Sequence, residues 1–95
     1  MLLILDLYWV TDSNTNCPAH QVITTKSECE VVSAPFSFAF VGVTQMVESP
    51  AGCNTFEGES WFNDVLDPES TTPINNRSAV CSQGKSIVVI CINVL

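Results

Sequence analysis

The sequence predicts a small α+β domain braced by disulfides, with one short helix, a β-hairpin and apolar terminal strands. Three observations carry this. Five cysteines are spread through 95 residues with no two closer than ten positions. One segment carries a complete helix-start signal, and several β-prone runs are separated by turn chemistry. Metal-binding thiols come in close pairs, because two ligands from one tight turn must reach the same ion. Cys17, Cys29, Cys53, Cys81 and Cys91 are instead spaced like staples between distant segments. Staples of this kind belong to oxidising compartments and to chains too short to build a large core.

The elements follow in order. Residues 2–10 are an apolar, β-prone run, and Thr11 to Asn16 is polar turn chemistry leading to Cys17-Pro18. Thr25-Lys26-Ser27-Glu28 is a capping box. Thr25 caps the amide of Glu28 while the Glu28 side chain reaches back, and Pro35 limits the helix to about Lys26–Ser33. Cys29 and Val32 share one face of that helix, so Cys29 points inward. Phe36, Phe38 and Phe40 alternate with small residues, the period-two pattern of a strand with one buried face, which runs on toward Val47 with a bulge or bend at Gly42. Pro50-Ala51-Gly52 turns the chain so that Cys53 heads the next strand. Glu57 to Ser60 is a hairpin turn feeding Trp61-Phe62. Residues 63–76, rich in Asp, Pro, Ser, Thr and Asn, form a long surface loop, and Ser86 to Leu95 reads as a buried strand. The whole is one domain, with residues 17–82 as its cysteine-rich core module and residues 1–10 and 86–95 as apolar terminal segments.

Four cysteines allow three pairings. The inward face of the helix should sit over the head of the hairpin, which favours Cys29 with Cys53. Cys17 and Cys81 then tie the ends of the framework, and Cys91 is left free or intermolecular.

Charge narrows the function classes. Lys26, Arg77 and Lys85 face ten carboxylates, giving net −7. Nucleic acid is excluded as a partner, because phosphate neutralisation needs clustered bases, and an anionic membrane surface would repel the chain. The start MLLILDLYWV has no base before Lys26, is interrupted by Asp6 and is too short to span a bilayer. It is expected to be mature chain or the remnant of a longer precursor.

Cys17-Pro18, Ile23-Thr24-Thr25 with Glu28-Cys29-Glu30, Pro50-Ala51-Gly52-Cys53, Trp61-Phe62-Asn63, and Arg77-Ser78 with Cys81 form an ordered series. The series resembles a cysteine-rich repeat of predicted secreted or lumenal proteins of dinoflagellates and other algae, and covers about Cys17 to Ser82. Val31-Val32-Ser33 stands where that repeat has an Ala-rich stretch, and Cys91 falls outside it. The resemblance implies a four-cysteine framework and a secreted or lumenal setting. It implies no activity.

Candidate sites are few. Glu57, Glu59, Asp64, Asp67 and Glu69 gather carboxylates in a short span, but the one-apart ligand order of a calcium loop is absent, so a solvated acidic face is the plainer reading and no metal is expected. Trp61 and Asn63 are candidate ligand contacts, against the alternative of hairpin core residues. His20, three residues from Cys17, suggests a nucleophile and base, but Cys17 is better explained as a bridge partner and His20 sits in a polar connection. Asn76-Arg77-Ser78 is a glycosylation sequon in a loop. No catalytic constellation and no cofactor site follows. The expected function is a non-enzymatic structural or recognition module, extracellular or lumenal, contacting a glycan or a protein. The alternative is an accessory subunit docked on the lumenal side of a larger complex, such as a photosynthetic membrane assembly in the thylakoid lumen.

Overall fold

A computed structural model describes residues 7–83. The rest of the amino-terminal run, the carboxy-terminal run 86–95 and Cys91 lie outside the described residues, and with them the buried strand expected over Ser86 to Leu95. The architecture is one helix on a five-stranded mixed sheet. Strands β1 (Tyr8–Val10), β2 (Ala39–Thr44), β3 (Gly52–Phe56), β4 (Glu59–Asn63) and β5 (Ser78–Ser82) lie in the order β1-β5-β3-β4-β2. Helix α1 (Lys26–Ser33) covers β2, β3 and β4.

The helix begins as its sequence dictates. The Glu28 amide donates to Thr25 Oγ1 at 3.2 Å, satisfying one of the first-turn donors. The reciprocal half of the box does not form, because the Glu28 carboxylate accepts from the Tyr8 hydroxyl at 2.7 Å and so ties α1 to β1. At the other end the helical path continues beyond Ser33 through Pro35. It closes when Ser37 takes φ 63° and the Phe38 and Ser37 amides donate to Ser33 and Ala34 carbonyls, each at 2.9 Å. That closure corrects the expected strand. Phe36 sits in the terminal turn and Phe38 just beyond it, β2 starts only at Ala39 and ends at Thr44, and Phe36, Phe38 and Phe40 are half-buried at the edge of the core. Gly42 does follow a bulge, with Val41 the extra residue between two β4 partners.

The β3–β4 hairpin turns on two residues, Glu57 (φ 51°) and Gly58 (φ 83°), whose left-handed conformations match the twist of the flanking strands. β4 then runs parallel to β2 and antiparallel to β3, inserted between them. The connection 45–51 must therefore cross the end of β4 to carry the chain from β2 to β3.

Strand alternation sorts the interior into two small cores. Tyr8, Val10, Val80, Phe62 and Cys53 pack with Ile23, Cys29 and Val32 on the helix side. Trp9, Ala79 and Cys81 pack with Cys17, Val22 and Ala51 on the other. Each core holds one disulfide: Cys29–Cys53 joins α1 to β3, and Cys17–Cys81 joins the segment before α1 to β5. Between β3 and β5 the sheet opens to admit Val22-Ile23, with Val22 bridging Cys81. Gly52 makes this possible. It sits at φ 76°, and a Cβ there would lie 2.5 Å from Ile23 O and 2.8 Å from Val22 Cγ1. Gly52→Ala combines a clash against backbone with a left-handed conformation, so it is expected to cost about 2 kcal/mol or more. A urea titration of the variant checks this, and an unchanged midpoint would mean that the wedge shifts freely.

Candidate functional site

The face of the sheet away from α1 is built on amides. Asn63 closes β4 where the connection 45–51 crosses, and it is fully buried. Its Oδ1 accepts from the Met46 amide at 3.0 Å, and its Nδ2 donates to the Met46 and Pro50 carbonyls at 2.7 and 3.1 Å. Asn16 does the same from the other side. Its Oδ1 accepts from the Ala51 amide at 2.8 Å, and its Nδ2 donates to Thr71 Oγ1 at 2.8 Å. Asn75 reaches Ser49 Oγ at 2.6 Å. Three side-chain amides thus hold one crossing loop, because a loop passing over a strand end has backbone groups that no ladder satisfies.

Beside this seam, Arg77 lies over Trp61 with its guanidinium 3.9 Å from the ring centroid and donates to Asn54 Oδ1 at 3.1 Å. Burial lowers the Arg77 pKa from its ordinary value, since the charged form loses hydration there. The stack removes Trp61 as an open platform, because the guanidinium occupies the ring face that a sugar would need. Arg77→Ala strips that cover and leaves the buried Asn54 oxygen without its donor. It is expected to cost about 1–3 kcal/mol and to red-shift tryptophan emission as Trp61 meets water. Unchanged emission would show that the stack does not persist in solution.

The expected contact pair is therefore divided. Trp61 is half-buried beneath Arg77, and Asn63 is internal, saturated by backbone and unable to touch a ligand. The carboxylates Glu57, Glu59, Asp64, Asp67 and Glu69 are all exposed, and the described residues contain no group of three or more His, Cys, Asp or Glu that could hold a metal ion. Asp67 caps the short helical turn Pro68–Ser70 by accepting from the Glu69 amide. His20 is exposed in the turn Ala19–Gln21, and the Cys17 sulfur is committed to Cys81, so the two form no nucleophile and base. Asn76 is exposed at a tight turn.

A feature that residue-by-residue reading passes over is the outer edge of β2. This strand ends the sheet, so among the described residues its outward backbone groups meet no partner strand. Val41 and Val43 are 54% and 51% exposed along it, and Val47 is 53% exposed just beyond. An exposed acidic residue adjoins each end: Glu59 lies opposite Ala39, and the Asp64 amide donates to Thr44 O at 3.0 Å. The alternating valines were visible in the sequence as part of a strand, but not that the strand lies on an edge.

No protein-family model, no curated protein and no solved structure matches this chain.

Proposed function

We propose that the chain is a non-enzymatic recognition module of an oxidising compartment, extracellular or lumenal, that receives an extended segment of a protein partner along β2. The observation that carries this reading is the open β2 edge with Val41 and Val43 exposed beside it. An unpaired edge offers main-chain hydrogen bonds, and the exposed valines beside it supply selectivity. The charge of the chain and the acidic residues adjoining both ends of β2 favour a segment that is apolar in its middle and uncharged or basic at its ends. A glycan is the weaker choice, because its aromatic platform is covered by Arg77.

The compartment rests on the two disulfides, which a reducing cytosol would not maintain. Docking as an accessory subunit on a larger lumenal assembly is one setting for such an edge, and the resemblance to secreted or lumenal algal repeats points the same way. No helix among the described residues is long and apolar enough to cross a membrane.

A photo-crosslinking residue placed at Val43, with a control at Glu57, tests the reading in cells that make the protein. The expected result is an adduct from position 43 alone, mapped to one extended apolar segment of another protein, and lost when Val41 is replaced by Glu. Cross-links confined to residues 84–95 of the same chain would show that the edge is covered internally, and the reading would fall. Absence of any adduct would have the same consequence.

A further inference from the structure

The sequon Asn76-Arg77-Ser78 is not needed for β2 recognition, and its surroundings carry an inference of their own, which rests on the oxidising compartment proposed above. We infer that Asn76 carries an N-linked glycan, attached before β5 enters the sheet and the Cys17–Cys81 bridge closes.

The acceptor geometry is favourable at Asn76 itself. The residue is exposed, with φ 69° at a turn. Its amide donates to Asn14 Oδ1 at 2.7 Å, and its Oδ1 accepts from Asn14 Nδ2 at 3.3 Å. This clasp uses the oxygen and the backbone of Asn76 and leaves Nδ2 without a hydrogen bond among the described residues. Nδ2 is the atom that a glycan substitutes, so the clasp survives modification. The attachment point is also remote from the proposed docking edge, because β3 and β4 stand between β5 and β2.

The rest of the sequon is closed in the folded chain. Ser78 opens β5, paired with Thr55 of β3 on one side and bridged to Thr15 on the other. Arg77 is held over Trp61 and bonded to Asn54. Cys81, three residues beyond Ser78, is buried in the bridge to Cys17. A transferase must grip the sequon as an open loop and read the Ser78 hydroxyl, which the sheet does not permit. The free chain permits it.

In the transfer, Asn76 Nδ2 attacks the anomeric carbon of a lipid-linked oligosaccharide diphosphate. The nitrogen–carbon bond forms as the bond from that carbon to the diphosphate oxygen breaks. The lipid diphosphate leaves with the electron pair, and Nδ2 gives up one proton to the transferase.

The test uses the full chain made without glycan, offered in two forms to a purified eukaryotic oligosaccharyltransferase with its lipid-linked donor. One form is folded with both bridges closed, and the other is reduced and unfolded. The expected result is a glycosidase-sensitive mass gain on the Asn76 peptide of the unfolded form only, absent in Asn76→Gln and in Ser78→Ala. Modification of neither form overturns the acceptor assignment, and equal modification of both overturns the order of events. A free-thiol count on the native protein reports separately on the compartment. Cys17, Cys29, Cys53 and Cys81 all bridged with no glycan would sink this inference and leave the compartment reading standing, whereas free thiols at those four positions would sink both.

Discussion

Replacing Cys17 and Cys81 by Ala is expected to lower the free energy of unfolding by about 4 kcal/mol, enough to leave the domain largely unfolded at 37 °C. The bridge joins residues 64 positions apart, and the Cys29–Cys53 bridge, spanning 24, is nested within that loop. With the inner bridge intact the effective loop is about 64 − 24 = 40 residues. Because closure entropy grows only with the logarithm of length, the value remains about 4 kcal/mol. The Cys29–Cys53 pair alone should contribute about 3.5 kcal/mol on the same basis. The dependence has a structural reason besides entropy. Each of the two cores is only a few residues wide, and among the described residues the bridge is the one covalent tie across its layer. On the Cys17 side the partners are Val22, Ala51, Ala79 and Trp9, too little apolar area to hold the segment before α1 against β5 unaided. Urea unfolding of the two double variants checks both values. A loss below about 1 kcal/mol for the Cys17–Cys81 variant would mean that the unfolded chain is already compact around this contact.

The elements that the sequence made legible are those set by neighbouring residues. Helix α1 starts at Lys26 because Thr25 caps it, and the closing turn at Ser37 follows directly after Pro35. The hairpin turns where Glu57-Gly58 allows positive φ, and Gly42 follows the bulge. The favoured cysteine pairing follows from the same local signals, since an inward Cys29 over the head of a hairpin meets Cys53. What escaped the sequence depends on partners far along the chain. Periodicity marks Phe36, Phe38 and Phe40 as apolar and alternating, but the closure at Ser37 decides that the strand begins after them. That β4 lies between β3 and β2, and that β2 is therefore an edge, is a fact of topology with no local signature. The same holds for Asn63. In the sequence it stands beside aromatic residues like a ligand contact, and only the crossing of 45–51 over the end of β4 gives it a different task.

That task gives the second large effect. Asn63→Ala is expected to cost about 3 kcal/mol, because the half-buried Met46 amide loses its acceptor while the Met46 and Pro50 carbonyls lose a donor. Asn63→Asp separates this hydrogen-bond argument from simple loss of volume, since the two side chains have the same shape. A carboxylate still accepts from Met46 N, but its other oxygen then faces two carbonyls in a site closed to water. Folding favours the protonated acid there, so the folded-state pKa of the introduced carboxyl lies above its unfolded value. The sign follows: the Asp variant is closest to wild type below the unfolded carboxyl pKa, and it loses stability as pH rises toward the folded one. The Ala variant shows no such recovery relative to wild type on acidification. Urea midpoints of wild type, Asn63→Ala and Asn63→Asp across the acid range give the comparison. If the Asp variant tracks the Ala variant at every pH, the amide is not what holds the crossing loop, and Asn63 is packed there for its volume alone.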